Sequence, residues 1–169
     1  AAGLDHTPDI LGCSCTAHPN SLFTAMKSGD PYPVKAFFSI ANNTILSYAD
    51  QQSIIEAFMA QELIVAYEHW MTPTAQLADY VLPGDAWMER DTMGPTSDVA
   101  PASTFCEAFC EPAGECKDWY FVIKGLADRL GISSAFPWAS SRELFDYRLA
   151  PLGKTWDEVH ELAALPARP

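Results

Sequence analysis

Val34-Lys35-Ala36-Phe37-Phe38-Ser39-Ile40, Leu63-Ile64-Val65-Ala66-Tyr67 and Tyr80-Val81-Leu82 are three short apolar runs, and what lies between them decides the fold. The first is nearly continuous in apolar residues, which predicts a strand covered on both faces rather than one facing water. It ends in the polar loop Ala41-Asn42-Asn43-Thr44. From Asp50, a residue type suited to an N-cap, Ile54, Ile55, Phe58 and Met59 recur at helical spacing and predict an amphipathic helix over Gln51 to roughly Gln61. Leu63 to Tyr67 reads as a second buried strand. Thr72 before Pro73 has the pattern of an N-cap and first helical position, opening a short helix to about Asp79. Tyr80-Val81-Leu82 is a third strand, stopped by Pro83. Strand, helix, strand, helix, strand in so short a stretch requires parallel crossovers, which are almost always right-handed. The expected fold is α/β and doubly wound, with a mainly parallel sheet and flanking helices. Its turns Ala41 to Thr44, Glu68 to Thr72 and Pro83 to Asp91 are expected to converge along one sheet edge, where open α/β folds bind ligands.

Upstream, residues 1–30 are weakly patterned, with a short helix-compatible piece from Ser21 to Met26; Gly29, Pro31 and Pro33 then forbid a helix across Ser28 to Pro33. Downstream of a connection rich in Gly, Pro and Ser, Met93 to Ala102, the stretch Ser103 to Glu111 alternates larger and smaller side chains and predicts a strand. A helix is expected from Asp118, its cap, with Trp119, Val122, Ile123, Leu126 and Leu130 on one stripe and Gly131 as its stop. Residues 132–169 hold two capping-box patterns, Ser140 with Glu143 and Thr155 with Glu158, and read as a peripheral helical tail.

The chain has 169 residues, 49% hydrophobic and only 19% charged, which suits one compact domain and excludes a disordered chain. With 10 Lys+Arg against 22 Asp+Glu, the net charge of −12 repels phosphate backbones and anionic lipid, so neither nucleic acid nor membrane is an expected partner. No stretch approaches the roughly 20 apolar residues of a membrane span. Ala1 to Ile10 carries neither the basic region nor the apolar core of a secretion signal, and the missing initial Met leads us to expect a piece of a longer chain. Five cysteines raise the question of a metal or iron–sulfur site. On an extended strand Cys106 and Cys110 would lie about 13 Å apart at ~3.3 Å per residue, too far for a disulfide or a shared ion. Together with Cys13, Cys15 and Cys116 they read as free or buried thiols, and no metal ligand is expected.

Several runs are more specific than composition. Pro31 to Phe38, the loop Ala41 to Thr44, Leu63 to Tyr67, and above all Thr72-Pro73-Thr74-Ala75-Gln76-Leu77-Ala78-Asp79-Tyr80-Val81-Leu82-Pro83 followed by Trp87-Met88-Glu89-Arg90, resemble the molybdopterin oxidoreductases of the dimethyl sulfoxide reductase family. Glu111 to Glu115, Asp118-Trp119 and Leu126 to Gly131 resemble the continuation, so the likeness covers roughly residues 20 to 131. It implies that residues 31–131 are an internal Rossmann-like domain binding the guanine dinucleotide part of molybdopterin guanine dinucleotide. The full-length parent would carry the bis form of that cofactor with molybdenum or tungsten; the isolated piece would hold none and be inactive.

The resemblance also nominates residues. The family's Gly-x-Asn-Pro turn aligns with Ala41, Asn42, Asn43 and Thr44, so Asn43 matches its Asn while Ala41 and Thr44 depart from its Gly and Pro. A turn near a pyrophosphate favours Gly for close backbone approach, and Ala is the mildest replacement. The family's guanine-reading Asp, four residues before the first Thr of the helix, falls on Glu68, with Thr72 as that Thr. A carboxylate has two acceptor oxygens that match two adjacent N–H donors on guanine. The extra methylene of Glu shifts the base outward by ~1.5 Å or demands a bent rotamer. Each nomination has a plainer alternative. Thr72 also serves as a helix cap alone, Asn42 and Asn43 as turn residues, Trp70 as an exposed loop ring rather than a base-stacking platform, and Glu89 with Arg90, candidates for the edge of the cofactor site, as a solvated pair.

Enzymes of the family usually carry an iron–sulfur domain, a protein ligand to the metal, a second cofactor domain and a C-terminal domain, and some work with an electron-transfer subunit. These are the expected partners of this chain, which itself holds no catalytic residue. Two alternatives stay open: a structural or interaction domain of the same fold without pterin, and part of a tungsten-dependent hydratase. The parent would be cytoplasmic, or periplasmic if it carries a twin-arginine signal.

Overall fold

The structure, a computed structural model, describes residues 17–94 and 105–163. The chain divides into two compact units between Leu82 and Pro83.

The first unit begins with α1 (Pro19–Ser28), two residues longer at each end than the sequence suggests. Pro19 opens it, and Gly29, at φ 74°, closes it by donating its N–H to the Ala25 carbonyl. Then come β1 (Ala36–Ile40), α2 (Thr44–Ser47), α3 (Gln51–Met59), β2 (Leu63–Glu68), α4 (Pro73–Gln76) and β3 (Tyr80–Pro83). The strands form a parallel three-stranded sheet in the order β1-β2-β3, with Ala36 opposite Leu63 and Ile40 opposite Tyr67. The strand, helix, strand, helix, strand sequence and the α/β class are therefore present. Among these three strands the order does not reverse.

Asp50 caps α3 as its residue type suggests, accepting the Ser53 N–H. The helix buries Ile54, Ala57 and Phe58 in a core shared with Phe23 and Met26 of α1, Ile45 of α2 and Ile64 of β2. Phe37 packs its ring on Phe58 at 4.9 Å. The β2 residues Ile64 to Glu68 are buried in succession, as a central parallel strand requires. The same expectation fails for β1: Phe38 and Ile40 are 38% and 39% exposed. Its apolar run resembles that of β2, but β1 ends the described sheet, and only its Phe37 and Ser39 side faces the helices. The helix opened by Thr72 stops at Gln76 rather than near Asp79, because Asp79 is drawn onto β2 through Ile64.

The second unit holds β4 (Thr92–Met93), β5 (Phe105–Cys106), α5 (Trp119–Arg129), α6 (Ser141–Leu149) and α7 (Trp156–Ala163). The strand expected over Ser103 to Glu111 shrinks to Phe105–Cys106, antiparallel to β4; Ser103 and Thr104 lie outside the described residues. From Ala108 the backbone turns to other partners: Ala108 N–H donates to Asp91 and Phe109 N–H to the Met88 carbonyl, so no ladder continues. Asp118 caps α5, and Gly131 follows at φ 73°. Ser140 caps α6, and Thr155 with Glu158 makes a reciprocal capping box at α7. These late helices, expected at the periphery, supply the centre of this unit: Trp156 is 1% exposed, stacked on Phe145 at 5.1 Å and edge-on to Phe105 at 5.5 Å. Arg142 holds the packing together by pairing with Asp91, Glu107 and Asp157. Burial works against its charge, but the Asp91 contact, aided by Glu107 and Asp157, outweighs that and holds the guanidinium above its ordinary value.

Candidate functional site

Two of the three turns expected to converge do so within the first unit. Ile40 and Tyr67 are partners in the parallel ladder, so β1 and β2 leave the sheet side by side. Ala41 N–H then donates to the Tyr67 carbonyl at 2.9 Å, with Ala41 in the left-handed region at φ 48°. A position that favours glycine thus holds the alanine that departs from the expected Gly. The third turn, Pro83 to Asp91, belongs to the second unit.

Three acceptors of the turn 41–44, two carbonyls and one side-chain oxygen, are engaged locally. Asn42 O accepts from Ser39 Oγ at 2.8 Å and from Thr44 N–H at 2.9 Å. Asn43 O accepts the N–H groups of Leu46 and Ser47 and the Ser47 hydroxyl. The Asn43 side chain meets Thr74, whose hydroxyl donates to Asn43 Oδ1 at 2.9 Å and accepts the Ile45 N–H at 3.1 Å. Thr74 is wholly buried and ties the turn after β1 to the start of α4. The sequence did not single it out. In a Thr-x-Thr pattern the first hydroxyl caps the helix, and the second is a polar group placed where the helix faces the core; that signal was available.

Glu68, the last residue of β2, is 7% exposed, and its Oε1 has no hydrogen-bond partner among the described residues. Burying a carboxylate oxygen without a partner is costly, so such an atom marks a place shaped for a donor from outside. Thr72 caps α4 by accepting the Ala75 N–H at 3.1 Å. Trp70, between them, is 78% exposed.

Glu89 and Arg90 have local duties. Glu89 accepts the Ala86 N–H at 2.7 Å on one oxygen and the Ala113 N–H at 3.0 Å on the other. Arg90 pairs with the buried Asp85 at 2.6 Å and also bonds its carbonyl. Asp79 is structural, accepting the Ile64 N–H. Cys106, Cys110 and Cys116 are free thiols, Cys13 and Cys15 lie outside the described residues, and no metal-holding group of side chains occurs among the described residues.

Comparison with known proteins identifies the family. The family model for molybdopterin oxidoreductase matches residues 12–129, and the chain belongs to that family. It is 49% identical to acetylene hydratase of Syntrophotalea acetylenica over 86% of its own length and 20% of the relative's. It is 26% identical to a thiosulfate reductase molybdopterin-containing subunit of Salmonella typhimurium over 74% of its length and 17% of that relative's. Among solved structures, acetylene hydratase from Pelobacter acetylenicus superposes with a TM-score of 0.80 at 48% identity, over 86% of this chain and 20% of that one. The chain thus spans a fifth or less of the length of these relatives.

Proposed function

We propose that this chain is part of a molybdopterin-dependent enzyme and supplies one binding site for the guanine dinucleotide end of the cofactor. Its parallel sheet is then part of a Rossmann-like, doubly wound domain whose reversal point lies beyond the three strands described. The observation that carries the reading is the buried, unpartnered Glu68 Oε1 at the carboxyl end of β2, beside the turn that follows β1. The residues fit the group. Glu68 would accept the paired N–H donors of guanine, Asn43 would meet a phosphate oxygen, Ala41 in its left-handed conformation would let the backbone approach, and Trp70 would cover the base. Asn42 and Thr72 shape the two turns. Glu89 belongs to the second unit, its carboxylate already holding two backbone N–H groups.

When bound, the cofactor with molybdenum or tungsten supplies the reaction chemistry; the residues of this chain bind and orient it. The remaining domains, an iron–sulfur domain, a second cofactor domain and a C-terminal domain, and an electron-transfer subunit where the reaction is redox, are the partners, and the isolated segment is inactive. The 49% identity to an acetylene hydratase favours a hydratase as the parent over an oxidoreductase or a pterin-free structural module.

In the full-length protein, Glu68→Ala is expected to lower pterin and metal content by an amount equivalent to about 2–5 kcal/mol, the usual cost of breaking a buried charged contact. Unchanged content would overturn the assignment.

A further inference from the structure

One hydroxyl decides how the turn after β1 presents itself. Thr74 Oγ carries a single proton, and that proton goes to Asn43 Oδ1, while the Ile45 N–H occupies one of its lone pairs. Asn43 therefore turns its amide oxygen toward Thr74. Because the amide is planar, its NH₂ group lies away from that contact, and it makes no hydrogen bond among the described residues. The carbonyls of Asn42 and Asn43 both accept hydrogen bonds from neighbouring residues. The Asn43 amide thus gives the turn a donor whose orientation is set from the far side of the loop.

We propose that Thr74 is a positioning residue: by fixing the Asn43 amide it aims Nδ2 at an anionic oxygen of the dinucleotide's phosphates. The inference rests on the cofactor-binding reading above. Threonine suits the role because its branched Cβ restricts the rotamer that holds Oγ between two partners, in a wholly buried place. A Ser keeps the hydroxyl, a Val keeps the shape without it, and an Asp at position 43 keeps the Thr74 contact while removing the outward donor.

The test uses the full-length holoenzyme and follows the rate at which pterin and metal are lost on dialysis, with the fold checked by circular dichroism. Thr74→Val is expected to lose cofactor about tenfold faster, the scale of one hydrogen bond, and Thr74→Ser to stay within about threefold of wild type. Asn43→Asp, which leaves the Thr74 contact and the fold in place, is expected to lose cofactor at least as fast as Thr74→Val. Adding Thr74→Val to Asn43→Ala is expected to change nothing further. The proposal is overturned if Thr74→Val retains cofactor like wild type, if Thr74→Ser is as damaged as Thr74→Val, or if the losses of Thr74→Val and Asn43→Ala multiply, since the hydroxyl would then act through Ile45 alone. If Thr74→Val does not fold, Asn43→Asp decides, and its retention of cofactor overturns the proposal. Failure of the underlying reading looks different: Glu68→Ala, Asn43→Ala and Asn43→Asp would then all keep their cofactor.

Discussion

Asp79 and Ile64 hold each other twice: Asp79 Oδ2 accepts the Ile64 N–H at 2.7 Å, and the Asp79 N–H returns to the Ile64 carbonyl at 2.9 Å. The pair fixes where the chain leaving α4 joins β2, and so where β3 begins. It also sets the length of α4, which Thr72 caps and which bears Thr74.

Removing the side-chain half of this clamp should loosen the joint locally. A hydrogen bond to a charged group contributes about 1.5–3 kcal/mol, so Asp79→Ala is expected to speed hydrogen exchange at the Ile64 amide by roughly ten- to a hundredfold. An unchanged exchange rate at that amide would show the contact to be idle.

Trp156 should be the costliest side chain to truncate in the second unit. It is buried between Phe145 and Phe105 with the Arg142 guanidinium over its ring at 5.7 Å. Trp156→Ala is expected to destabilise this unit by about 3–5 kcal/mol, measured as a shift in its urea midpoint. A loss below about 1 kcal/mol, the median for substitutions in general, would contradict the central place given to this ring.

Tyr120 offers a pH signature. Burial, aided by the charges of Glu143 and Asp128, pushes its phenol above the ordinary tyrosine range. A folded-state value raised above the unfolded one means the folded chain keeps its proton longer. The contribution is complete below about pH 10, the unfolded value, and is lost as pH rises toward the folded value. Ultraviolet titration should show tyrosinate absorbance from Tyr120 appearing late, and Tyr120→Phe should remove that late component. Loss of an early component instead would sink the assignment.

How much of this was legible in the sequence varied by residue. Ile64 to Tyr67 read correctly because an unbroken apolar run and a central parallel strand impose the same pattern. Val34 to Ile40 carries that pattern too, yet its strand lies at the end of the described sheet, because apolar character does not encode strand order. Asp50, Thr72, Asp118 and Ser140 were legible as caps because a cap is a local contract between residues two or three apart. The Thr74 contact to Asn43 spans 31 positions and has no local period to announce it. Ser103 to Glu111 alternated convincingly, but backbone bonds to Met88 and Asp91, invisible to periodicity, diverted it.

The exposed flank of β1 has a practical consequence. Phe38 and Ile40 lie on the last strand of the described sheet, more than a third open to water. A greasy terminal strand is a template for self-association. Produced as a separate segment, the chain invites oligomers built through that border, and charged replacements at Phe38 or Ile40 are the natural remedy for anyone handling it in solution.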